Sequence, residues 1–261
     1  MAESDAGVRA SVGFCSEKGP RKRNEDFAAA VIGAELPEPR REVVAAIADG
    51  VGGAKGGRVA AELAVRGFLD GFWDLPETME VSRAGARVIS ALNTWINALG
   101  RQDPDLKGMA CTFTALVLRA RVAHLLHIGD TRAYRLRRDR LTCLTKDHAR
   151  EGGPGHSRVL TRALGAEADV RLDYAAEPMA LHDRFLLCTD GVHGFLTDDA
   201  IATVGSPDNC AIEIPSIRGF FGCTTGNCSR AAALIISATR TMSRASSALS
   251  FNPSGAASAI T

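Results

Sequence analysis

The chain has 261 residues, 46% of them apolar and 23% charged, with a formal net charge of +1. That balance allows a sizeable core and offers no bulk charge for nucleic acid or a membrane surface. No apolar run approaches the ~18 residues that span a bilayer, and "MAESDAGVRASVG" lacks a basic-then-apolar leader, so a cytoplasmic protein is expected.

"SVGFCSEKG" (11–19) and "EVVAAIADG" (42–50) read as strands. Residues 57–73 read as a helix, with Val59, Leu63, Phe68 and Phe72 near one face. A second helix covers 81–99, where Val81, Ala84, Val88, Leu92, Trp95 and Leu99 make one apolar stripe. Residues 112–145 are β-branched and apolar between short polar turns, the pattern of an antiparallel meander. "DHAREGGPGHSR" (147–158) is a polar loop, and "RFLLCTDGVHGFL" (184–196) is a buried strand that ends on a carboxylate. Strands, two helices and more strands make an α+β fold with mainly antiparallel sheets.

The composition shifts after Val204. Residues 205–261 hold six charged residues, fifteen Ser or Thr and three of the seven cysteines, and the periodicity fades apart from "AAALIISA". The last ~45 residues are expected not to pack as a normal continuation. No cysteine pair has C-x-x-C or zinc spacing, so the thiols read as reduced core residues.

At "AIADGVGGAKGG" (46–57) an apolar strand ends on Asp49 and opens into five glycines. The segment is neither a P-loop, because Arg58 and Val59 follow Gly57, nor a dinucleotide fingerprint, because Lys55 takes the third glycine's place. Asp49 would repel a pyrophosphate and suits a cation. The small residues beside it allow a backbone carbonyl or a substrate to come close. Asp190 in "TDG", Asp130 in "GD", and Glu25 and Asp26 in "RKRNEDF" are further acids at strand ends. Each alone is an ordinary turn former. Together they form a hard oxygen set for Mg²⁺ or Mn²⁺, without the Cys or His of a zinc site.

The order of the pieces resembles the metal-dependent protein phosphatases of type 2C, the PPM family. "RKRNEDF", "IADGVGG", "GMACTFTALVL", "HIGDTRAYRL", "LTKDHA", "LTRALG" and "LLCTDGV" follow one another through residues 11–199. The resemblance implies a four-layer α-β-β-α sandwich, two antiparallel sheets flanked by helices, with metals at one end. It implies that Asp49 bridges two Mn²⁺ or Mg²⁺ ions. Glu25 and the Gly50 carbonyl complete one of these, and Asp190 serves the other. Asp130 would share a third ion with Asp190, Asp26 would stand behind the ligands, and Arg21 would hold the substrate phosphate. The implied reaction is hydrolysis of phosphoserine or phosphothreonine in proteins by a metal-bridging hydroxide. The implied partners are phosphoproteins and a cognate Ser/Thr kinase, with the enzyme a monomer.

Three departures stand out. Val51 occupies the position where some members carry a histidine as general acid; His148 and His193 are nearby alternatives, each more naturally a hydrogen-bonded structural residue. The loop after Asp147 is short, which implies an open site. The family's closing Asp-Asn pair matches Asp208 and Asn209, yet Asp208 stands only 18 residues after Asp190, about half the usual gap, as if a helix near 204–205 were missing. A catalytic domain over 1–214 and an atypical tail over 215–261 are therefore expected. A naturally shortened crossover and a deletion or frameshift in the gene both account for this, and the tail's composition favours the second. If Asp208 does not reach the site, the alternative is an inactive pseudophosphatase acting as a binding domain.

Overall fold

Residues 43–48 are apolar without a break because both faces of their strand are covered. In the computed structural model, which describes residues 8–19, 21, 23–35, 42–51, 55–151, 159–205, 231–240, 249–250 and 258–259, they belong to β3 (Val43–Val51). Val44, Ala46 and Ala48 face two helices, α1 (Lys55–Trp73) and α2 (Val81–Gln102). Val43, Ala45 and Ile47 face the opposite way, into a second core. The strand period of two divides one apolar run between two interiors.

β3 lies in a six-stranded antiparallel sheet with β2 (Asp26–Ile32), β4 (Ala110–Cys111), β5 (Phe113–Arg119), β6 (Val122–Ile128) and β11 (Asp173–Pro178). The main path runs β11-β6-β5-β3-β2, and β4 pairs with the end of β3. A five-stranded antiparallel sheet packs on its other face in the order β1-β13-β12-β7-β8. Its strands are β1 (Val8–Glu17), β7 (Arg132–Arg137), β8 (Arg140–Cys143), β12 (Arg184–Cys188) and β13 (Ala231–Arg240). Tyr134, Cys188 and Ala233 on the outer face of this sheet are covered by α3 (Asp190–His193) and α4 (Asp198–Gly205) through Val192 and Ile201. The layers are helix, sheet, sheet, helix, as expected. The short strands β9 (Ala149–Arg150) and β10 (Val159–Leu160) pair outside both sheets. Among the described residues, no helix is long and apolar enough to cross a membrane.

Two expectations need correction. The buried face of α2 runs through Ile89, Asn93 and Ile96, whereas Trp95 is 51% exposed. Ile96 fits beside Gly165, where a bulkier indole one residue earlier points away from the sheet. The expectation that the tail does not pack fails for residues 231–240. The apolar, isoleucine-containing run AAALIISA forms β13, hydrogen-bonded to β1 on one side and β12 on the other. Ala232, Leu234 and Ile236 join the core between the sheets. Residues 231–240 thus supply the strand between β1 and β12, while Asp208 and Asn209 lie outside the described residues.

Candidate active site

The core between the sheets is apolar along most of its length and turns polar at one end. Continuing the inward-facing period past Ala28 in β2 gives Asp26, and past Ile47 in β3 gives Asp49. Past Leu116 in β5 come Thr114 and Thr112; past Leu125 in β6 comes His127. Thr131 lies two residues before Ala133 of β7, and Thr189 two residues after Leu187 of β12. All seven are at least nine-tenths buried. Six strands change from hydrocarbon to oxygen and nitrogen at the same level.

Asp26 and Asp49 are direct cross-strand partners, 1% and 7% exposed. Like charges set opposite each other in a buried place are costly unless positive charge or hydrogen bonds compensate. The backbone around Asp49 is tightly held: its N–H donates to Thr112 Oγ1 (2.9 Å), and its carbonyl accepts from the Thr112 N–H (2.8 Å). The Gly50 N–H donates to the carbonyl of Glu25 (3.1 Å), which places that 9%-exposed glutamate beside the end of β3. Thr189 donates its hydroxyl proton to Asp26 Oδ2 and accepts from the Ala232 N–H, both at 3.0 Å. This single hydroxyl joins the two sheets at the acidic end and brings the next residue, Asp190, to it. Asp190 is exposed and opens α3. Asp130 is half-buried, and its carbonyl accepts from His193 Nε2 (3.0 Å), which ties the Asp130 turn to the same short helix.

Glu25, Asp26, Asp49, Asp130 and Asp190 are therefore carried by neighbouring elements at one end of the sandwich. Among the described residues, no three His, Cys, Asp or Glu side chains come close enough together to hold an ion by themselves. Asp208 lies outside the described residues. Arg21 is exposed in the connection between β1 and β2, four residues before Glu25, its N–H directed to the Lys18 carbonyl.

Of the two partners the small residues were expected to admit, a backbone carbonyl or a substrate, the structure shows the first. A Cβ on Gly50 would sit 2.2 Å from the carbonyl carbon and oxygen of Gly57, so the first turn of α1 packs directly on the end of β3. At these two positions the close approach is made by the chain's own backbone. Gly52 and Gly53 lie outside the described residues.

Neither histidine near the acids is free to act as a general acid. His148 is bonded through both ring nitrogens, to the Gly129 N–H (3.0 Å) and to Asp173 Oδ2 (2.9 Å). His193 is engaged at Asp130, and burial, with Arg132 nearby, pulls its pKa down. Arg132 itself makes a two-point pair with Asp147 (3.0 and 2.8 Å).

Sequence reasoning missed the threonines and His127. His127 Nε2 donates to the Lys146 carbonyl (3.1 Å), so Nδ1 accepts from Thr114, whose oxygen lies 2.6 Å from that of Thr131. Burial first, then the neighbouring His148, drops the His127 pKa from the ordinary 6.5 to about 4. The unfolded chain takes up this proton first on acidification, so His127 supports the fold above pH 6.5 and loses that support as pH falls toward 4. The loss amounts to ~2 kcal/mol at pH 5. Urea unfolding at pH 7 and pH 5 is expected to show a drop that much smaller in His127→Gln than in the parent. Equal drops would remove His127 as the cause.

The family profile described as "Protein phosphatase 2C" matches residues 23–207. The serine/threonine phosphatase stp of Listeria innocua is 30% identical over 189 residues, which cover 66% of this chain and 73% of that protein. The serine/threonine protein phosphatase PstP of Mycobacterium tuberculosis is 31% identical over 187 residues, covering 66% of this chain and 34% of that protein. A solved PstP catalytic domain, in complex with two manganese ions, superposes with a TM-score of 0.73 at 26% identity, covering 89% of this chain and 99% of that one. PppA of Pseudomonas aeruginosa superposes with a TM-score of 0.71 at 26% identity, over 88% and 97% of the two chains. The family match spans the acidic end, helices α1 to α4 and the segments that carry Asp26, Asp49, Asp130 and Asp190, so this chain belongs to the protein phosphatase 2C family of serine/threonine phosphatases.

Proposed function

We propose that the chain hydrolyses phosphoserine and phosphothreonine in proteins at the acidic end of the sandwich, with two Mn²⁺ or Mg²⁺ ions. The observation that carries this reading is the buried Asp26–Asp49 pair, clasped by Thr189 immediately before Asp190. The donor set fits a hard divalent cation: carboxylates and a backbone carbonyl. Cation charge is also what two opposed buried carboxylates call for.

Asp49, Glu25 and the Gly50 carbonyl would hold one ion, Asp49, Asp190 and Asp208 the other, and Asp130 with Asp190 a third. The ions supply what the side chains lack, a nucleophilic water at neutral pH, and offset phosphoryl charge. Arg21 binds the phosphate through its guanidinium fork; its exposed position suits a group that meets substrate from solvent. Thr112 fixes the backbone of Asp49, so its carboxylate is presented without a search through conformations. With both candidate histidines engaged, water protonates the leaving alkoxide. A Ser/Thr kinase would supply the substrate, and the enzyme would act as a cytoplasmic monomer.

Hydrolysis of p-nitrophenyl phosphate tests the reading. Turnover should require Mn²⁺ or Mg²⁺ and vanish in EDTA. Turnover that survives EDTA refutes it, and calorimetric Mn²⁺ binding without turnover makes the chain a binding domain instead.

A further inference from the structure

His148 occupies a junction that the phosphatase reading leaves unused. It stands directly before β9, and its own carbonyl accepts from the Thr161 N–H (2.8 Å) just after β10, so it closes the base of that pair. Its backbone N–H donates to the Gly129 carbonyl (2.7 Å) while its Nδ1 accepts from the Gly129 N–H (3.0 Å). One residue thus grips both backbone polar groups of Gly129, the residue preceding Asp130. The grip falls on a turn with little freedom: Gly129 has φ +105°, and a Cβ there would lie 2.6 Å from the Thr112 side chain. That same Thr112 anchors the Asp49 N–H.

The acceptor role of Nδ1 requires the ring proton on Nε2. Nε2 faces Asp173 Oδ2 at 2.9 Å, and the other oxygen of Asp173 accepts from Arg162 Nη1 (2.7 Å). Burial alone would raise the Asp173 pKa, but the bonds from His148 and Arg162 outweigh it and hold this carboxylate below its ordinary range. The ionised acceptor fixes the tautomer, as carboxylates do for the histidines of metal sites.

We propose that His148 is a positioning residue for Asp130: Asp173 sets its tautomer, and its Nδ1 holds the Gly129–Asp130 turn where Asp130 can serve the ion it shares with Asp190. The proposal rests on the metal reading of Asp130 given above. His148 touches neither substrate nor ion.

Paired substitutions separate the two ends of the ring. His148→Asn leaves an acceptor near the place of Nδ1, and His148→Gln leaves a donor near the place of Nε2. Asp173→Ala removes the acceptor that fixes the tautomer, whereas Asp173→Asn keeps one, at a side chain 40% exposed where the fold is not at stake. His148→Gln is expected to raise the Mn²⁺ concentration for half-maximal p-nitrophenyl phosphate turnover about tenfold, with a smaller rise in His148→Asn. Asp173→Ala should raise it and Asp173→Asn restore it. Amide hydrogen exchange at Gly129 and Asp130 should accelerate in the same order. A purely structural histidine would lower the melting temperature equally in both His148 variants and leave the Mn²⁺ requirement alone. Equal Mn²⁺ midpoints and equal exchange in His148→Asn and His148→Gln, or an unchanged midpoint in Asp173→Ala, overturn the proposal. If the parent chain shows no metal-dependent turnover, the phosphatase reading fails, while the exchange order at Gly129 still decides whether His148 holds the turn.

Discussion

Asp49→Asn is expected to cut Mn²⁺-dependent turnover by about a thousandfold or more while leaving the metal-free protein at least as stable as the parent. The two halves of this result have separate causes. Asparagine keeps the shape of the side chain, and the backbone bonds between residue 49 and Thr112 do not involve the carboxylate, so β3 should keep its register. One formal charge disappears from a site bonded to the cations. In the metal-free chain the same charge faces Asp26 across the strand pair, with both side chains buried, so its removal relieves repulsion. Asp190→Asn should match the loss of turnover without the gain in stability, because Asp190 is exposed. Turnover with Mn²⁺ and thermal unfolding in EDTA measure the two halves. A metal-free Asp49→Asn protein that melts well below the parent would show Asp49 to be a structural residue whose loss of activity means little.

The acids were legible in the sequence because a charge at the end of an apolar run is conspicuous. Thr112, Thr114, Thr131, Thr189 and His127 were not, although they sit at the same level of the same interior. A threonine at a strand end carries no signal by itself. It becomes informative only when the face of each strand is known and six strands change character together. The glycines after Asp49 were only partly legible for a related reason. Sequence shows that a segment allows close approach, but not what approaches, and at Gly50 it is the first turn of α1. The α2 stripe was legible to within one residue: Asn93, a polar group on its buried face, is explained only by the distant loop whose Gly165 N–H it accepts and whose Glu167 and Ala168 carbonyls it caps.

The tail is where sequence reading and structure part most, and it gives the second large expected effect. β1 is an edge strand whose only sheet neighbour among the described residues is β13. A chain ending at residue 230 leaves β1 without a ladder, removes Ala232, Leu234 and Ile236 from the core between the sheets, and takes from Thr189 the N–H that orients its hydroxyl toward Asp26. The truncated chain should therefore lose its cooperative urea transition, become sensitive to protease and show no turnover. The point variant Leu234→Ala isolates packing from chain length. Leu234 is 1% exposed and paired on both sides, opposite Phe14 and Leu187, so the substitution should cost about 3 kcal/mol in urea unfolding with the Mn²⁺ midpoint little changed. The contrast matters because composition set these residues apart from the rest of the domain. A truncated chain that unfolds at the parent's urea midpoint, with turnover intact, would mean that β13 is dispensable and that the expectation drawn from composition was right. Loss of both would make an alanine-rich strand within a charge-poor tail the closing strand of the catalytic fold, coupled through one threonine hydroxyl to the acids at its end.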